Sequence, residues 1–224
     1  MLHDYSDVYT LSIVFLGEFN PSIIQPFWLA EKELIREGEA DSAKIELIHN
    51  DLVRFELDWV RFEIVKQRFE LRSSKEPYFE AVRDLAISIF EILKETPLNA
   101  VGINHIKNFS LRTEKEYNDI GNRLAPFKNW NNFFSDPKLL QLEMVDLKRK
   151  DKLYGNFRVK VSASDANLNI RYGVAFNIND HYTISPGSKG RNGEIVKILS
   201  EQWKLSMENA TEVIESVWTK LNEN

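Results

Sequence analysis

Four histidines, one glycine-spaced loop and one short run of bases are the residues of this chain whose types and spacing could carry chemistry. The histidines are His3, His49, His105 and His181, and no two stand four residues apart, the helical spacing that brings two imidazoles to one metal ion. His105 shares strand parity with Val101 and Ile103, which predicts a hydrogen-bonded core histidine rather than a ligand. Asp180 and His181 put an acid beside a base, but neighbours in a strand point to opposite faces. The chain has no cysteine, so it has no thiol nucleophile, disulfide frame or cysteine metal site. It also contains no Gly-x-Ser-x-Gly elbow, kinase signature or paired catalytic carboxylates. These motifs name no catalytic residue, metal site or cofactor. An enzyme built from residues distant in sequence stays open.

Three stretches are candidates for binding. In the loop Ser185 to Gly193, Lys189 and Arg191 sit among glycines just ahead of a helix, where free N–H groups and a partial positive charge attract an anion. The loop lacks the Gly-Lys-Ser/Thr ending of a Walker A motif. Lys148, Arg149, Lys150 and Lys152 crowd a predicted hairpin tip. With Arg158, Lys160 and Arg171 on the adjoining strands, beside Asn167, Asn169 and Asn177, they form a candidate nucleic-acid surface, bases for phosphates and asparagines for base edges. Against it, the polar face of the first half shows Glu46, Glu56, Asp58 and Glu63, and a surface half acidic and half basic suits a duplex poorly. Trp130 and Phe133, in a loop of aromatics and asparagines, are candidate contacts for a protein partner, as are Glu56, Asp58 and Glu63.

The elements that must position these residues follow from periodicity. Tyr9, Leu11, Ile13 and Phe15 alternate with small or polar neighbours and predict a strand. Asn20-Pro21 predicts a turn, followed by a helix from about Pro26 to Arg36 that Gly38 ends. A strand-rich block follows, with a phase flip at Asp58-Trp59 that demands a bulge or tight turn. Phe79, Val82, Ala86, Ile89 and Leu93 keep helical spacing. The pattern then restarts. Val101, Ile103, His105 and Phe109 form a long strand, and Thr113 to Glu116 reads as a capping box opening a helix. Three more strands follow, the last with Leu168, Ile170, Tyr172, Val174, Phe176 and Ile178, and then a long helix that Ser206 or Asn209 could break.

Each half therefore reads strand, helix, three strands, helix. Two such units, about 8–96 and 99–221, predict one α+β domain over 1–224, a merged antiparallel sheet with helices on one face. That layout resembles the duplicated fold of TATA-box-binding proteins, a likeness that carries no function with it.

Composition narrows the class. The chain is 43% hydrophobic and 28% charged, the balance of a folded water-soluble protein. No apolar run nears the roughly 20 residues of a membrane span, and acids stand where a signal peptide has bases, so we expect a cytoplasmic protein without a membrane partner. Charge is uneven: residues 1–100 sum to −8 and residues 101–224 to +3, which suits orienting a partner.

The opening strand that leads into a proline-started helix, together with the mid-chain strand Val101 to Phe109, resembles a sporadically distributed bacterial family whose members recur near phage-defence and mobile-element genes. No catalytic residues come with that resemblance. It implies an accessory, sensor or toxin-neutralising component of a bacterial defence locus, acting through another protein, with a nearby-encoded one as a candidate. Nucleic-acid binding by the basic strands and tip at 148–177 is the alternative.

Overall fold

The computed structural model of the chain describes residues 6–164, 168, 170–184 and 192–222; the loop bearing Lys189 and Arg191, and Asn167 and Asn169, lie outside the described residues. Among the described residues period-two alternation builds nine strands: β1 (Ser6–Gly17), β2 (Lys44–Ile48), β3 (Leu52–Glu56), β4 (Arg61–Val65), β5 (Arg68–Ser73), β6 (Leu98–Ser110), β7 (Gln141–Asp146), β8 (Gly155–Ala163) and β9 (Gly173–Thr183). They form one antiparallel sheet in the order β2-β3-β4-β5-β1-β6-β9-β8-β7. Five α-helices among the described residues accompany it: α1 (Pro26–Glu31), α2 (Glu37–Asp41), α3 (Phe79–Ile92), α4 (Glu114–Leu124) and α5 (Asn192–Asn222). The molecule is α+β, and among the described residues no helix is long and apolar enough to cross a membrane.

One parity of each central strand points into the core. Leu11, Ile13, Phe15, Phe62, Ile64, Phe69, Leu71, Val101 and Ile103 are fully buried, each contributing on the order of 1.5–3 kcal/mol. Leu29 of α1, Ala40 of α2, Val82 and Phe90 of α3 and Leu199 and Trp203 of α5 join them in one cluster. A second cluster joins Ile120 of α4 and Ala210 and Ile214 of α5 to Val161, Val174 and Phe176. Helices thus cover one face, and the opposite parity of the central strands is left to solvent.

Several expectations change. The helix predicted over 26–36 stops at Glu31, because Glu33 takes a left-handed backbone (φ 58°) and the chain turns out of α1. A new start follows, where Glu39 accepts from the Arg36 N–H, so Gly38 lies inside α2 instead of ending a helix. The first half carries four strands after its helices, not three, because the turn at the Asp58-Trp59 phase flip separates β3 from β4. The phase flip at Asp58-Trp59 is a tight hairpin closed by Leu57 N–H donating to Val60 C=O. The strand predicted from Leu168 begins only at Gly173 and runs on to Thr183, since residues 171–172 turn. Neither Ser206 nor Asn209 breaks α5; Ser206 faces inward on His105.

Candidate functional site

The helix-free face of the sheet is floored at its centre by β1, β6 and β9. Register aligns Arg61, Arg72, Ser12, Asn104, Asn179 and Arg158 in a single row across six strands. Within that row Asn179 Nδ2 donates to Asn104 Oδ1, and Asn104 Nδ2 donates to Ser12 Oγ at 3.3 Å. One register step along, Gly102 lies between Val14 and His181, and its missing side chain lowers the floor. The result is a trough of about 550 Å³, flanked by Arg68, Glu70 and Arg72 on one side and Glu143, Arg158 and Lys160 on the other.

Charges on this face are already engaged. Glu70 is buried and accepts from both Arg68 and Arg72, the latter at 2.9 Å. Glu63 meets Arg54 at 2.8 Å and Arg68 at 3.3 Å, Glu46 meets Arg61 at 2.7 Å, and Glu143 meets Arg158 at 3.4 Å. The expected acidic field of the first half is therefore corrected. Glu63 is neutralised by two arginines, and Asp58 sits in the β3–β4 turn and meets Lys75 at 2.7 Å. Only Glu56 of the three has no ion-pair partner among the described residues. Glu63 and Glu70 each meet two arginines because residues of one parity, on one strand or on its neighbour, share a face.

The predicted basic surface is also dispersed. Arg158 and Lys160 do lie on the uncovered face. Lys148, Lys150 and Lys152 are exposed in the β7–β8 connection, beside the Tyr182 end of β9, whereas Arg171 precedes the other end. Those ends are roughly 30 Å apart at about 3.4 Å per residue. Arg149 turns inward and is 5% exposed. Its Nη1 donates to Asp180 at 2.6 Å and to the carbonyls of Asn156 and His181, and its guanidinium lies 3.8 Å from the Tyr182 ring centre. Burial opposes its charge, but Asp151 and Asp180 outweigh that and hold it protonated. It fastens the loop and offers nothing to a phosphate.

The histidines divide between the faces. His105 is fully buried on the helix side, 2.7 Å from the Tyr9 hydroxyl and 3.1 Å from Ser206 Oγ. Burial and then the nearby Lys107 charge depress its pKa to about 3, so it stays neutral. His181 faces the trough, and burial, Arg149 and Arg158 lower its pKa from the usual value. Asp180 and His181 point apart as strand neighbours must. Among the described residues the hydroxyls hydrogen-bonded to a histidine are those of Tyr9 and Ser206, both inside the core.

Trp130 and Phe133 are exposed, in a segment leading to the edge strand β7. Sequence reasoning missed Ser12, Asn104, Asn179, Arg68, Glu70 and Arg72. The signal was present as polar residues on the outward parity of strands whose other parity is mostly apolar. Comparison with models of protein families gives no match for this chain, and comparison with curated proteins gives none either.

Proposed function

We propose that this chain is an interaction protein without chemistry of its own, and that the helix-free sheet face receives a partner protein. The observation that carries the reading is the make-up of that face. Its centre holds Val14, Leu16, Ala100, Gly102 and Ile106 beside the Ser12–Asn104–Asn179 ladder, and its margins are rich in arginine already matched to glutamate. An apolar middle, an arginine-rich surround and a near-neutral balance are the anatomy of a protein interface. The resemblance to a family found near phage-defence genes supplies a setting, that of an accessory, sensor or toxin-neutralising subunit in the bacterial cytoplasm.

A duplicated architecture belongs to the same proposal. Outward from the central pair, β5, β4 and β3 follow β1 as β9, β8 and β7 follow β6, which supports two merged units of about 8–96 and 99–221 in one TATA-binding-protein-like domain. Such a duplication places the seam of the two units, β1 against β6, under the trough.

The test is recovery of partners from the native host with Leu16→Arg, Asn104→Lys and a control change on the helix side, Glu91→Lys. Loss of the same protein, at least tenfold, in the first two but not the third supports the reading. Equal recovery in all three, with folding verified by circular dichroism, refutes it. Nucleic-acid binding is the second reading, favoured by Arg158, Lys160 and His181 on one wall of the trough. It requires affinity for oligonucleotides that falls steeply with salt.

A further inference from the structure

The two edges of the sheet differ in how they are guarded. At β2 the register shifts between Ile45 and Leu47, and Glu46 at that bulge reaches across to Arg61. Bulges and charges of this kind keep an edge from pairing with another chain. The β7 edge lacks the bulge: Gln141 to Asp146 pair with β8 in unbroken register, with Glu143 and Asp146 the charges on the strand. Around it the surface is apolar. Leu140 is 80% exposed, Met144 65%, Val145 49%, Leu147 74%, Phe133 79% and Phe134 56%. With large side chains presenting roughly 150–250 Å² each, these amount to on the order of 700 Å² of apolar surface. Met144 and Val145 face opposite sides, so this area lies on both faces of the edge; a stable complex buries about 800 Å² per partner, a figure the strand backbone and polar margin would complete.

We propose that β7 pairs antiparallel with β7 of a second copy of this chain, joining two sheets edge to edge about a twofold axis. The strand is suited to its own image. Opposite residues of an antiparallel pair share a face, so a twofold must pass through a residue position. Centred on Met144, the pairing sets Met144 against itself, Glu143 against Val145 and Leu142 against Asp146 of the second copy, with no like charges opposed. Centred on Val145, it sets Glu143 against Leu147 and Met144 against Asp146. A centre on Glu143 or on Asp146 would oppose two carboxylates. Either allowed register sets Leu147 opposite a residue of the second copy's β7, Gln141 or Glu143. A second copy is favoured over an unrelated strand because the patch and its match are then the same surface, with the area a dimer needs. The dimer is independent of the partner reading, which concerns the sheet face.

The absence of cysteine from the chain makes the pairing directly readable. Directly opposed residues of such a ladder lie about 4.5–5.5 Å apart between Cα atoms, within disulfide reach. Met144→Cys and Val145→Cys, each made singly, should give a cross-linked dimer on mild oxidation at one of the two positions, and Leu47→Cys on β2 should not. Sedimentation of the unmodified protein should give twice the 26.2 kDa chain mass. Met144→Lys with Val145→Lys should weaken dimerisation at least tenfold while the circular dichroism spectrum stays unchanged. A monomer at 100 µM of unmodified protein, cross-linking at Leu47→Cys equal to that at β7, or a dimer unmoved by the lysine pair would each overturn the proposal.

Discussion

Replacing Asp180 by alanine should destabilise the protein by about 3–5 kcal/mol, the range for leaving one member of a buried ion pair behind. Asp180 is 0% exposed and Arg149 is 5% exposed, so water cannot replace the lost carboxylate. Arg149 would keep Asp151 and two carbonyls, which places the effect toward about 3 kcal/mol. The mirror change, Arg149→Met, leaves the Asp180 carboxylate with only the Tyr182 hydroxyl at 2.9 Å and falls in the same range. Because each variant already forfeits the shared contact, the double variant should lose less than the sum of the two by more than about 0.5 kcal/mol. Urea unfolding followed by tryptophan fluorescence measures all three, provided the denaturant slope is unchanged. Single losses below about 1 kcal/mol, or strict additivity, would refute the account of a buried pair that fastens the β7–β8 connection. The same Arg149→Met protein checks the nucleic-acid reading, since a phosphate contact would lower affinity and leave stability alone.

Two further outcomes follow from the core. His105 has a native pKa near 3 against 6.5 when unfolded, from burial and from Lys107, which itself lies near Glu76 and Glu215. Between those values the unfolded state binds the extra proton, so stability falls as pH drops from about 6.5, by up to about 1.4 kcal/mol per pH unit. His105→Leu should flatten that slope between pH 6.5 and 5 in urea titrations, and parallel curves for the two proteins would contradict the sign. Trp203, 4% exposed on α5 with the Arg83 guanidinium 5.5 Å from its ring centre, should lose about 3–5 kcal/mol on change to alanine. Calorimetry would show this as a fall of roughly 6–20 °C, and a shift under about 3 °C would place that face in solvent.

What the sequence made legible were the patterns that local physics enforces. The alternation at Tyr9 to Phe15 became β1 with Leu11, Ile13 and Phe15 at 0% exposure, and the Thr113 cap accepts from the Glu116 N–H at 3.2 Å. Even there a detail moved: Glu116 reaches the N–H of Arg112 rather than that of Thr113. The end of β9 was not legible, because Asp180 at an inward position reads as loop until its partner is known. That partner, Arg149, comes from a connection 31 residues earlier, and nothing local announces it. The site shows the same divide. Asn104 and Asn179 are 75 residues apart and become a ladder only once β6 lies against β9. The acids of the first half suggested a field because each strand was read alone; the sheet sets Arg54 and Arg68 around Glu63 and cancels it.

Joining two sheets through β7 also determines what two partner-binding faces can do together. From β6, the middle of one trough, to its counterpart is seven strand steps: three to β7, one across the joint and three back. At about 4.8 Å per step the troughs would be roughly 34 Å apart. Each step also turns the sheet by about 20–25°, always with the same hand, so the two faces would be rotated by some 140–175° relative to one another. Face and edge would then divide the work. The proposed edge joint would associate through buried area with little effect of salt, while the ion-paired face would discriminate among partners, because a mismatched surface would strand Glu70 or Arg72 without its hydrogen bonds. With the troughs turned away from each other, one partner could not bridge both, and such a dimer would present two separate sites instead of a clamp.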